Sequence, residues 1–129
     1  MLTRVVRLVW VAGFLVGTTT HVVDLVDGGR DVYAGFPIGV RAYWVSLTVL
    51  DPVAAVLTAL RRRSGVVLGV AIMVSDVAVN ATVLATTTGL GSWGLILQAA
   101  FGAVVAATAP RLWRAAADAR GAASSPRGR

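Results

Sequence analysis

Two aspartates, Asp51 and Asp76, lie near the middle of apolar stretches that are long enough to cross a lipid bilayer. An ionisable side chain at that depth is costly, so it marks a functional site by default. Two carboxylates that are close together in a medium of low dielectric constant cannot both be ionised cheaply. We therefore predict a proton-holding pair of catalytic type, which shares a proton or binds a cation or a cationic ligand. Whether the two carboxyl groups touch is left open by the sequence.

Other polar side chains are expected about one to two helical turns from this pair. Asn80 follows Asp76 at i, i+4 and shares its helix face, and Thr48 precedes Asp51 at i, i+3. We predict one cavity, open to the outer face, that the spans line with their strongest polar groups. The predicted ligand-binding residues are His21, Asp24, Trp44, Thr48, Asn80 and Gln98.

The elements that must position these residues are four apolar spans, since a bilayer crossing takes about 20 mostly apolar residues. They cover residues 5–26, 42–60, 65–87 and 92–112. Only 14% of the residues are charged and 57% are hydrophobic, whereas soluble domains carry about 25% charged residues. The predicted fold class is an all-α membrane protein, with an antiparallel four-span helix bundle at 1–114. Residues 115–129 are expected to form a disordered basic cytoplasmic tail.

Arginines indicate how the bundle is oriented, because cytoplasmic connections are enriched in positive charge. One side of the predicted bundle holds the majority, namely Arg4, Arg7, Arg61, Arg62, Arg63 and the tail arginines. The other side holds Arg30 and Arg41, offset by Asp27 and Asp31. Both termini are therefore expected in the cytoplasm. A cleaved signal peptide is the alternative, which the sequence disfavours because no A-x-A pattern occurs near 18–21.

Composition bounds the origin and the chemistry. The chain uses Arg without Lys and Asp without Glu, and it is rich in Ala, Val and Gly. This is typical of a GC-rich bacterial genome, so the expected location is the bacterial cytoplasmic (inner) membrane. The absence of Cys excludes disulfides and thiolate chemistry. A metal site with His21 and Asp24 beside the two deep aspartates is disfavoured by the difference in depth, so no metal and no cofactor are predicted.

Three functions remain open. The favoured one is binding or carrying a small molecule, a lipid, a proton or a cation, either alone or as a subunit of a larger system. A carrier of four spans is expected to need a homodimer or a partner membrane subunit. The second is an enzyme in which an aspartic acid is the general acid for an isoprenoid-like or sterol-like lipid, as in isomerases or cyclases. The third is a structural accessory subunit whose polar groups hold helices together, at about 0.6 kcal/mol each. The lipid bilayer is an expected partner and nucleic acid is not, because the arginines flank the spans.

Overall fold

The computed structural model describes residues 1–87 and 92–124, and in this part of the chain the regular elements are all helical. The four long helices are α1 (Leu2–Gly28), α2 (Ile38–Ala59), α3 (Arg63–Thr86) and α4 (Ser92–Ser124). A short 3₁₀ turn, Gly29–Asp31, follows α1. Each long helix is long and apolar enough to cross a membrane. The prediction of an all-helical chain with four potential spans is thereby confirmed.

Helices are the form that this composition requires. In hydrocarbon a backbone N–H or C=O finds no water, and an α-helix satisfies these groups within one segment. The outward faces carry large apolar side chains with high exposure on each helix, including Leu8, Val49, Val74 and Ile96. A soluble monomer rarely exposes apolar surface continuously on this scale. The exposed surface is therefore compatible with a protein that is surrounded by lipid.

The connection between α2 and α3 is tight because a glycine allows two backbones to meet. Arg61 adopts a positive φ of 56°, and the N–H of Arg62 donates to the carbonyl of Leu57 at 2.9 Å, which is the pattern of a Schellman helix end. A Cβ placed on Gly65 would lie 2.6 Å from the backbone atoms of Leu57 and Thr58. A residue with a side chain at position 65 would therefore force α2 and α3 apart.

One half of the bundle, toward the chain termini and the α2–α3 connection, is filled with side chains. Trp10 has no exposed surface, and Phe14 and Val105 are almost as deeply buried. Here α1 meets α4, because the indole N–H of Trp10 donates to the hydroxyl of Thr108 at 2.9 Å. The opposite half is hollow, and it contains the candidate site.

The largest differences between the structure and the sequence prediction are at two helix boundaries. α2 begins at Ile38, about one turn before the predicted start, because Pro37 has a fixed φ and is well tolerated at the beginning of a helix. α4 continues to Ser124, whereas disorder was predicted from Ala115 onward. The residues after Ala115 are rich in Ala, the strongest helix former, and Ala116 is buried. Residues 125–129 of the predicted tail lie outside the described residues.

Candidate ligand-binding site

A cavity of about 670 Å³ occupies the hollow half of the bundle, and all four helices line it. Its deep end is apolar, with Phe14, Ile72, Met73 and Phe101. The sequence predicted eight site residues, and all of them except Thr48 line this cavity. They are His21 and Asp24 from α1, Trp44 and Asp51 from α2, Asp76 and Asn80 from α3, and Gln98 from α4.

Asp76 is held by a network of hydrogen bonds that crosses three helices. Its two carboxyl oxygens accept hydrogen bonds from the amide of Asn80, at 3.1 Å, and from the amide of Gln98. The Asn80 amide also donates to the Gln98 carbonyl at 2.8 Å, and its own carbonyl oxygen accepts from the Trp44 indole at 2.9 Å. Both oxygens of Asp76 therefore have donors.

The orientation of this network follows from one residue. The indole N–H of Trp44 can only donate, so the carbonyl oxygen of Asn80 must face it. The NH₂ group of Asn80 then points toward Asp76 and Gln98, and this in turn directs the NH₂ group of Gln98 to Asp76. Trp44 was predicted as a ligand-binding residue, and in the structure its indole N–H also sets the direction of every bond in the network.

Asp51 lies in the same cavity in a different environment. Its side chain is only 4% exposed, yet among the described residues no side chain or backbone group forms a hydrogen bond with its carboxyl group. A Cβ on Gly17 would lie 2.5 Å from a carboxyl oxygen of Asp51, so this glycine of α1 makes room for the carboxylate. Asp51 is thus a buried acid whose oxygens face the cavity with no partner from the described protein.

The end of the cavity nearest the 29–37 connection is closed in part by aromatic rings. Tyr33 and Phe36 pack against the ring of Trp44, with centroids 4.8 Å and 4.9 Å apart. The hydroxyl of Tyr33 donates to the carboxylate of Asp24 at 2.8 Å. Burial, and then this hydrogen bond, raise the pKa of Tyr33 above its ordinary value. Nearby, the buried Nδ1 of His21 has no hydrogen-bond partner among the described residues.

Thr48 is the predicted residue that the structure leaves outside the cavity. Its hydroxyl donates to the carbonyl of Val45, within its own helix. Residues at i, i+3 are neighbours on a helix surface, but they do not point in the same direction, and here Asp51 faces the cavity while Thr48 does not. Gly17 was missed as a site residue. The four-residue step from Gly13 to Gly17 to His21 was its signal in the sequence.

The charge of the cavity favours a cation. Three carboxyl groups line it, from Asp24, Asp51 and Asp76, and no arginine is among the described lining residues. Within residues 1–87 and 92–124, His and Asp side chains do not gather in a group of three or more that could hold a metal ion. The arrangement suits an organic cation or a proton. No protein-family model matches the chain, and no curated protein or solved structure matches it.

Proposed function

We propose that this protein is a multi-pass membrane protein that binds a small cationic molecule, or a proton, in the cavity between its four helices, with Asp51 as the group that meets the ligand. The observation that carries the proposal is the state of Asp51, which is buried, faces a cavity of about 670 Å³ and lacks a described partner. A buried carboxyl group without a partner is costly. A ligand that brings a donor or a positive charge removes this cost.

The two aspartates then have different roles. Asp76 accepts two amide hydrogen bonds, and bonds of this kind to a carboxylate are among the stronger ones in proteins. Asp76 is therefore the fixed negative charge of the site. Asp51 carries a proton when no ligand is bound, and it loses that proton to water when a cation binds and pairs with the carboxylate that remains. Helix packing alone explains the network of Asp76, but it gives no reason for Asp51, and this favours binding over a purely structural role.

The proposed orientation is an antiparallel bundle with both termini in the cytoplasm. Contacts support the antiparallel order, since the pairs Gly65 with Thr58 and Asn80 with Trp44 match rising numbers on α3 with falling numbers on α2. The excess of arginine at the end with Arg61 gives the direction. The aromatic end of the cavity then lies at the outer face of a bacterial cytoplasmic membrane. A carrier built on this chain would use a second copy or a partner membrane subunit to complete its pathway.

Calorimetric titration of n-butylammonium into the protein in lipid nanodiscs tests the proposal. A charged hydrogen bond contributes about 1.5–3 kcal/mol, so Asp51→Asn is expected to weaken binding by about tenfold or more. The neutral analogue 1-butanol is expected to give no site-specific heat. Asp118→Asn is the matched control, because Asp118 is exposed on α4 and outside the cavity. Equal affinity of wild type and Asp51→Asn for n-butylammonium would refute the proposal.

A further inference from the structure

The opening of the cavity between α1 and α4 points to the class of ligand. We propose that the ligand is a membrane-dissolved cationic amphiphile, whose protonated amine lies at Asp51 and whose apolar tail passes between α1 and α4 into the bilayer. This inference rests on the proposed function and adds to it the chemistry of the ligand and the direction from which it arrives.

Residues from both helices form the edges of this opening. Val16 and Thr20 of α1, and Gly94 and Leu97 of α4, line the cavity and are also exposed on the outside of the bundle. Val16 is 64% exposed and Leu97 is 55% exposed. A side chain that borders an internal cavity and remains this exposed stands at the edge of a gap.

The ring and hydrogen-bond contacts between α1 and α4 lie toward the packed half, before Val16 along α1 and after Leu97 along α4. Trp10 bonds to Thr108, and the rings of Phe14 and Phe101 pack edge to face with centroids 5.6 Å apart. Phe101 also lies against Gly13, where a Cβ would collide with its ring. Phe101 therefore closes the gap on the side of the packed half. On the other side of Phe101, α1 and α4 border the cavity.

The surroundings of the opening are apolar. Leu15 and Val23 on α1 and Ile96 on α4 are exposed next to it and belong to helices that can cross a membrane. An opening in such a surface faces lipid chains, because large exposed apolar side chains are stable there and unfavourable in water. A water-soluble cation gains nothing from this route, whereas a lipid-like molecule can keep its tail in hydrocarbon throughout.

The head group is identified by the charge at the end of this route. A cation inside the hydrocarbon region is costly unless it is paired, and the cavity offers the carboxyl groups of Asp51 and Asp76 without a competing arginine among its described lining residues. An anionic or zwitterionic lipid head group would place negative charge beside two buried acids. The fitting occupant therefore has one positive head group and an apolar tail.

Calorimetric titration of dodecylammonium and of n-butylammonium into the protein in lipid nanodiscs tests the route. The binding heat is the heat beyond that given by Asp51→Asn under the same conditions. Leu97→Trp places a large ring at the edge of the opening. It is expected to weaken dodecylammonium binding by about tenfold, or 1.4 kcal/mol, and to weaken n-butylammonium binding much less, because the short ion has no tail in the gap. Ile96→Trp is the matched control, since Ile96 is the neighbouring residue, is 53% exposed and does not line the cavity. Val16→Trp repeats the test from α1, with Leu15→Trp as its control, if Leu97→Trp fails to fold.

The outcomes separate this inference from the proposed function. The lateral route would be overturned if dodecylammonium binds Leu97→Trp and Val16→Trp as tightly as wild type. It would also be overturned if these variants lose affinity for both ammonium ions equally. In both cases the proposed function stands as long as n-butylammonium binds wild type at Asp51. If neither ammonium ion gives more heat with wild type than with Asp51→Asn, the proposed function itself is overturned.

Discussion

Replacement of Asn80 by leucine is the most direct test of the network that holds Asp76. The substitution keeps the approximate size of the side chain and removes three hydrogen bonds, to Trp44, to Gln98 and to Asp76. Lipid chains are as apolar as leucine, so the new side chain gains little from burial in a membrane. Three bonds at about 0.6 kcal/mol each give an expected loss of about 2 kcal/mol in the free energy of unfolding.

The assay is equilibrium unfolding in mixed micelles, followed by circular dichroism. Thr82→Val is the matched control on the same helix, because within residues 1–87 and 92–124 the exposed Thr82 hydroxyl bonds only to the carbonyl of Ala78, one turn away. Its effect is expected to remain within about 0.5 kcal/mol. Trp44→Phe removes one of the three bonds, so in a double-mutant cycle the losses from Trp44→Phe and Asn80→Leu should overlap by about 0.6 kcal/mol. If Asn80→Leu is as stable as Thr82→Val, the network contributes nothing to stability and the reasoning is refuted.

Three other predictions concern the hairpin, the outer connection and the orientation. Gly65→Ala should lower the free energy of unfolding by about 1–3 kcal/mol, because it overpacks the contact between α2 and α3. Gly39→Ala is the control and should have no such effect, because nothing lies within 4 Å of its added Cβ. Equal stability of the two variants would contradict the close approach of α2 and α3. Asp24→Asn should lower the pKa of Tyr33 only in part, because burial is the larger cause; ultraviolet titration in a Tyr43→Phe background measures it, and an unchanged pKa would argue against the hydrogen bond. Because folding raises the pKa of Tyr33, the folded state favours the protonated, neutral phenol. The contribution of Tyr33 to stability is therefore present below about pH 10 and is lost as the pH rises through the folded pKa. In this cysteine-free chain, Asp27→Cys should react with an impermeant maleimide from outside the cell and Ser64→Cys only after permeabilisation, and the reverse pattern would overturn the proposed topology.

Much of the fold was predictable because hydrocarbon restricts the choices. Apolar length and the short connections predicted four helices close to the observed bounds. Asp76 and Asn80, which share a helix face at i, i+4, both line the cavity. The helical extension of α4 past Ala115 was not predicted, because the charged residues and the glycine of this segment suggested disorder. Its alanines favour a helix, and the structure is helical to Ser124.

The difference between Asp51 and Asp76 could not be predicted from the sequence. Both are single aspartates in apolar spans, and only the neighbouring helices distinguish them. Asp76 meets Asn80 and Gln98, whereas Asp51 meets a glycine of α1 that has no polar side chain to offer. The gap between α1 and α4 likewise depends on how the two helices pack against Phe101. Residue spacing along the chain does not predict this packing.

The amide groups around Asp76 have a consequence for the movement of protons. Asn80 and Gln98 occupy both of its oxygens, and amide side chains do not take up or release protons in the way that carboxyl, imidazole and water groups do. A proton that leaves Asp51 therefore travels through whatever fills the cavity. Water in the cavity permits that exchange, and a bound molecule with an apolar body displaces the water. Occupancy and proton exchange would then be mutually exclusive, which is the condition that couples the two in a carrier.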